Sequence, residues 1–215
     1  MKMKWPMIRI WSLGVMFWLG MGTVIVQGAE QNWISLLNDK DKTGWHLRRE
    51  VKDGWTVEDH VLVNSPPSVD IVSDVPQGDC EMHVEFLVPK GSNSGVYLQG
   101  RYEIQILDSA GQPPESHICG AVYGRVAPKV NAAKPAGEWQ TFDITFHQAV
   151  VDGTGKKTKN ARVTLVHNGI KTIDDAEVEG PTGAAIGSDE GKPAGVMLQG
   201  DHGQVSFRNI KMRPL

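Results

Sequence analysis

Cysteine is scarce: only Cys80 and Cys119 occur in 215 residues. They form no C-x-x-C pair, and no histidine clusters with them at zinc-ligand spacing, which excludes a zinc module and a thioredoxin-like redox centre. Nucleotide motifs are missing too. Gly153-Thr154-Gly155-Lys156-Lys157 lacks P-loop spacing and a following helical pattern, and reads as a hairpin loop. There is no G-x-S-x-G elbow. No run of aspartates has calcium-loop spacing, so a structural calcium is unsupported and no cofactor is required by any motif. No internal repeat or low-complexity tract divides the chain, and no stretch shows an apolar stripe at helical spacing over three turns. Positive charge is not in excess. The formal charge is −3 and no basic stripe is visible, which argues against a nucleic-acid partner.

What is present is glycine and proline, 24 and 12 residues, in a chain that is 40% hydrophobic. That balance suits one globular domain with a substantial core and many turns. The first 29 residues differ from the rest. Lys2, Lys4 and Arg9 precede a run from Ile10 to Val26 without a charge, and Val26-Gln27-Gly28-Ala29 offers small residues for a signal peptidase. Residues 1–29 are therefore expected to be a signal peptide and residues 30–215 the mature domain, periplasmic or extracellular. A retained N-terminal anchor is the alternative, since ~17 apolar residues lie at the lower limit of a membrane span. Without that segment, 19 basic residues face 25 acidic ones, and no membrane partner is expected. Export permits a Cys80–Cys119 bridge, but sequence does not place the two within the ~4.4–6.8 Å Cα separation required, so buried free thiols remain equally open.

The body reads as strands. Met82, Val84 and Phe86 alternate with Glu81, His83 and Glu85. Tyr102, Ile104 and Ile106 alternate with Glu103 and Gln105, and Phe142, Ile144 and Phe146 alternate with Thr141, Asp143, Thr145 and His147. This period of two marks half-buried strands. Asn168-Gly169 after Val163-Thr164-Leu165-Val166 is a hairpin signal, because both residues tolerate positive φ. The last strand switches phase, with Val205 and Phe207 on one face before Ile210 and Met212 take over, which predicts a bulge near Asn209. Many antiparallel strands with one polar and one apolar face predict a two-sheet sandwich.

Residues 90–108 are the richest segment. Glu103 and Gln105 share the face opposite the apolar set, Arg101 precedes them, and Asn93 and Gln99 add amides. Acid, amide and guanidinium together suit a sugar, whose hydroxyls need donors and acceptors. An ordinary solvated strand face has the same alternation.

These runs, with Gly44-Trp45-His46-Leu47-Arg48, Trp55-Thr56-Val57-Glu58-Asp59, Gly120-Ala121-Val122-Tyr123-Gly124, PAGEWQTFDITF at 135–146, Gly180-Pro181-Thr182-Gly183 and LQGDHG…FRNIKMRPL at 198–215, resemble the 3-keto-disaccharide hydrolase domain family over residues 33–215. Cys80, where the pattern usually has an aromatic or large apolar residue, and His60, where it usually has Gly, depart from it. The resemblance implies an all-β, two-sheet antiparallel jelly roll of the concanavalin/laminarinase type, with a sugar on the concave face. It also implies cleavage of glycosides already oxidised at carbon 3.

Such a ketone acidifies the carbon-2 proton. A base can remove it, the enolate then expels the carbon-1 oxygen, and water adds to the enone. That chemistry needs a base, an acid and a donor at the enolate oxygen. Glu103 is the expected base, His202, oriented by Asp201, the acid, and Arg101 the oxyanion partner. Asn93, Gln99, Gln105, Asp108, Gln199 and Asp201 are the expected sugar-binding set. A rival route is two-carboxylate hydrolysis by Glu103 and Asp108. Five positions apart, they face opposite ways on a regular strand, so a bulge would have to bring them within ~5–9.5 Å. His83 and Glu85 are a reserve pair, better suited to cross-strand structure. Trp139 suits core packing better than sugar stacking. A non-catalytic sugar-binding module is the other function class, but it calls for stacking aromatics where this segment concentrates ionisable groups. N-terminal sequencing of the exported chain is expected to start near residue 29 or 30. A start at Met1 would establish the anchor instead.

Overall fold

A computed structural model describes residues 32–215. The N-terminal segment read as a signal lies outside the described residues. Fifteen strands follow in order: β1 (Ile34–Ser35), β2 (Trp45–Leu47), β3 (Trp55–Glu58), β4 (Val61–Asn64) and β5 (Ile71–Pro76). Next come β6 (Cys80–Leu87), β7 (Asn93–Leu98), β8 (Tyr102–Leu107), β9 (Trp139–His147) and β10 (Val150–Val151). The rest are β11 (Lys157–Lys159), β12 (Ala161–His167), β13 (Ile170–Val178), β14 (Gly195–Leu198) and β15 (Val205–Pro214). An eight-stranded sheet runs β13-β12-β9-β6-β15-β4-β3, with β1 added along β15, and a five-stranded sheet runs β2-β5-β14-β7-β8. Every pairing is antiparallel. The two-sheet jelly-roll sandwich expected from the sequence is what forms.

The alternation fixes which side chains meet between the sheets. Val84, Phe86, Phe142, Ile144 and Phe146 project from the larger sheet, and Ile104 and Ile106 from the smaller; all are buried. Phe86 and Phe142 lie 4.5 Å apart between ring centroids, within the range of favourable aromatic pairs. The Asn168-Gly169 turn closes β12 on β13 with φ of 50° and 81°, and β15 slips register against β6 between Arg208 and Lys211, where Asn209 has φ of 50°. Cys80 and Cys119 are both buried free thiols. Burial pushes Cys119 up to about 12, which leaves it unreactive.

Sequence alternation suggested that the smaller sheet turns its polar face to solvent. Instead β7, β8 and β14 are buried on both faces apart from residues at two strand ends. Loops close over the second face. Gly120 and Ala121 exchange backbone hydrogen bonds with Gln105, and the Tyr123 N–H donates to the Glu103 carbonyl. Thr182 takes the Glu103 N–H on its hydroxyl, at 3.0 Å. The open edge of β8 is thereby paired rather than left as a template for aggregation. Truncating Ile104 or Phe142 to Ala should lower unfolding free energy in denaturant by about 2–5 kcal/mol, through lost burial and a residual cavity. A loss below ~1 kcal/mol at both would contradict their place in the core.

Candidate active site

Positions of one parity share a sheet face, so Asn93, Gly95 and Tyr97 of β7 lie beside Glu103 and Gln105 of β8; Gly95 pairs with Gln105 and Tyr97 with Glu103. Gln199, the residue after β14, continues this face, its N–H donating to the Gly95 carbonyl. The Glu103 carboxyl lies directly over Gly95. A Cβ there would stand 2.5 Å from Oε1, so only glycine leaves space for the acid. The Gln105 amide nitrogen, turned toward the carboxyl as its neighbours require, donates to Glu103 Oε1 at 3.1 Å and to the Ser94 carbonyl at 3.0 Å.

A cavity of about 210 Å³ opens above this group, lined by Glu103, Gln105, Asn93, Tyr97, Gln199 and His202 together with Tyr123, Gly183 and Ala184. His202 reaches it from the 200–203 turn, where Asp201 Oδ1 is 2.5 Å from the His202 Nδ1. Asn64, at the end of β4 in the other sheet, holds that turn, its amide donating to the carbonyls of Gly200 at 2.8 Å and Gly203 at 2.9 Å. Asp70 accepts the Gly200 N–H at 3.1 Å. Buried Asn93 Oδ1 and Gln199 Oε1 have no hydrogen-bond partner among the described residues. Two amides on one cavity wall therefore keep unspent capacity for a hydroxylated ligand.

Burial pushes the Glu103 carboxyl up to about 7. Tyr97 and His202 pull it down, while Asp70 and Asp201 push it further up. A carboxyl with that affinity is divided between its two protonation states at neutral pH, as a general base should be. Burial, with Glu103 next in effect, raises the Tyr97 hydroxyl far above its ordinary range, so it stays a neutral donor.

Six of the nine sequence-derived site residues come together here: Glu103, His202, Asn93, Gln105 and Gln199 in the cavity, and Asp201 behind His202. Three do not. Arg101 sits in the tight turn between β7 and β8 and donates to the Gln99 carbonyl at 3.0 Å, so it does not line the cavity. Gln99 has φ of 49° and spends its side-chain amide on the Gln77 carbonyl and Gln148. Asp108 accepts the Gly91 N–H at 2.9 Å, away from Glu103, which removes the geometry for a two-carboxylate route. His83 and Glu85 lie in an ion-pair network with Asp143 and Arg208. Trp139 stacks under the Arg208 guanidinium, 4.0 Å from the ring centroid, and neither fills the core nor faces the cavity. Tyr97, Asn64 and Asp70 were not singled out from the sequence. Parity with Asn93 points to Tyr97, but nothing local points to the other two. Among the described residues no group of three or more His, Cys, Asp or Glu is arranged to hold a metal ion.

Residues 32–213 match the family described as the 3-keto-alpha-glucoside-1,2-lyase-like domain. The chain belongs to that family. It is similar to a protein from Parabacteroides distasonis provisionally described as a glycosyl hydrolase, at 28% identity over 85% of this chain and 84% of that one, with a TM-score of 0.73. A second from the same organism, described in the same way, shares 22% identity over 85% and 94% of the two chains, with a TM-score of 0.64, and shows the common fold. No curated protein matches the chain. Membership makes it a carbohydrate-active enzyme directed at glycosides.

The raised Glu103 affinity has a consequence for stability. A glutamate in the unfolded chain takes up its proton at 4.5 and folded Glu103 at about 7, so between these values the folded chain binds more protons than the unfolded one. Stability from this group is therefore full below about 4.5 and lost as pH rises through about 7, a difference on the order of 3 kcal/mol. Glu103→Gln should be more stable than wild type in denaturant at pH 8, with the gap closing toward pH 4.5. A gap that does not change with pH would show that Glu103 titrates normally.

Proposed function

We propose that the chain cleaves the glycosidic bond of sugars oxidised at carbon 3, with Glu103 as the base that removes the carbon-2 proton. The observation that carries this reading is a single buried carboxyl, poised near neutrality, in a polar cavity with one histidine. Ionised Glu103 accepts the carbon-2 proton and the electron pair moves onto the ketone oxygen as an enolate. The enolate reforms the carbonyl and expels the carbon-1 oxygen, and His202 supplies the proton that the departing alkoxide needs. Water then adds across the resulting enone. With Arg101 outside the cavity, the donor left for the enolate oxygen is the Asn93 amide, since Tyr97 gives its hydroxyl proton to Glu103 and Gln199 gives its amide N–H to Tyr97 at 3.4 Å.

The ketone is what makes one base sufficient, because it acidifies the proton that Glu103 must take. Conventional hydrolysis would need a second carboxylate facing the first across the bond, and Asp108 is not placed to serve. A sugar-binding module on the same face would need no base at all. The Lys/Arg start and apolar run of the N-terminal segment support export, so the proposed substrate is an extracytoplasmic oligosaccharide or glycoside already carrying the keto group.

Purified mature protein incubated with 3-keto-trehalose or a 3-keto-glucoside should release free sugar, while the unoxidised glycoside stays intact. The wild-type rate should fall about tenfold per pH unit below about 7, as Glu103 takes up its proton. Glu103→Gln should lose ~10²–10⁴ in turnover while still binding the sugar. Cleavage of the unoxidised glycoside, or full activity in Glu103→Gln, would overturn the mechanism. Binding without cleavage by wild type would establish the module instead.

A further inference from the structure

Beside the Glu103 cavity lies a second one of about 260 Å³, lined by Arg48, Arg49, Val69, Asp70, Ala184 and Asp201. We propose that it is the subsite for the leaving half of the glycoside, a second hydroxylated ring, and that Arg49 reads that ring. The inference rests on the reading of Glu103 and His202 given above.

The two cavities are neighbours by construction. Ala184 forms part of the wall of both, and Asp201 faces one while its bonded neighbour His202 faces the other. They also share a sheet face. Asp70 has the parity of Val72, which lies opposite Met197, and Met197 lies opposite Tyr97. Arg48 sits next to Asp70 through a backbone hydrogen bond of 2.9 Å. A ligand crossing the strands from β8 toward β2 would therefore pass from Glu103, beneath His202, to Asp70 and Arg49. The group assigned to protonate the leaving oxygen thus stands on the boundary where that oxygen must be.

Size points the same way. Cavities that hold small-molecule ligands run to about 300–1,000 Å³, and each of these alone falls short. Joined, they reach that range.

Their chemistry differs in the way two halves of a substrate would require. The reacting half meets a base, an acid and amides. In the second cavity Arg48 spends three of its donors on the protein, bonding Asp70 at 2.9 Å and the carbonyls of Ala184 and Ala185 at 2.7 and 2.9 Å, so it holds the wall. Arg49 is exposed and has no side-chain hydrogen bond or ion pair among the described residues. Its donors are free for ring hydroxyls, and the exposed Ala184 offers an apolar surface for the C–H face.

The test compares a two-ring and a one-ring substrate, 3-keto-trehalose and methyl 3-keto-α-glucoside, with wild type and Arg49→Ala. The substitution should reduce kcat/KM for the disaccharide relative to the methyl glycoside by about tenfold, the loss of one hydrogen bond from a charged donor. Equal loss on both sugars, or loss on neither, overturns the subsite while leaving Glu103 as base. If wild type cleaves neither sugar, the reading of Glu103 fails. Calorimetric titration then decides the subsite: disaccharide binding that is no tighter than methyl glycoside binding, or unaffected by Arg49→Ala, would overturn it.

Discussion

Glu103 lies across Gly95 on a sheet face that loops have closed to solvent. An ionised carboxylate there gives up most of its hydration, and the surrounding groups return only part of it. Gln105 and Tyr97 favour the charge, while Asp70 and Asp201 oppose it. The balance leaves the carboxyl holding its proton until about neutral pH. A solvated glutamate at the same strand position would ionise near its ordinary value and be a weaker base. The closed face is thus the condition for the chemistry, at the expense of stability at neutral and higher pH.

The rest of the architecture keeps that face closed and its groups aligned. Strand β8 would be an open edge, but residues 120–123 and Thr182 pair with it. The 182–186 segment is anchored at its other end by Arg48 through the carbonyls of Ala184 and Ala185. Asn64 crosses from the eight-stranded sheet to fix the turn that presents Asp201 and His202. Asp70 joins both devices, since one of its oxygens takes Arg48 and the other the Gly200 N–H. Loop wall and histidine turn are thereby tied to a single buried carboxylate. Substitutions far from the reacting atoms would be felt there, because positioned groups lose effect with small displacements.

The cavity wall contains more amide and acid than aromatic surface. Tyr97 is buried against Glu103, and Tyr123 is the other ring at the site. Recognition of sugar rings without catalysis relies on flat aromatic faces for their C–H surfaces. Here hydrogen-bonding groups surround one titratable carboxyl, which fits an enzyme acting on glycosides better than a lectin-like surface.

The amino-acid sequence by itself determined the strands, their inward faces and several of their turns. Period two places Val84, Phe86, Ile104 and Phe142 on the core side whatever the partner strand is, and the Asn168-Gly169 turn and the Asn209 bulge follow from backbone preferences of single residues. The same rule placed Glu103, Gln105 and Asn93 on one face. It misplaced Arg101 and Gln99, because strand parity no longer applies in the tight turn where they sit. Asp108, just past the end of β8, is drawn to the Gly91 N–H. The chain alone also could not show that this face is buried, since burial comes from loops 15 to 79 residues away in sequence. Asn64 and Asp70 were invisible for the same reason: an amide and an acid beside turns look ordinary until the sheets stack. Hydrophobic periodicity is a local property and can be read from neighbours in the chain. Desolvation and hydrogen-bond convergence belong to groups brought together only by the fold, and they decide which carboxyl holds its proton to neutral pH.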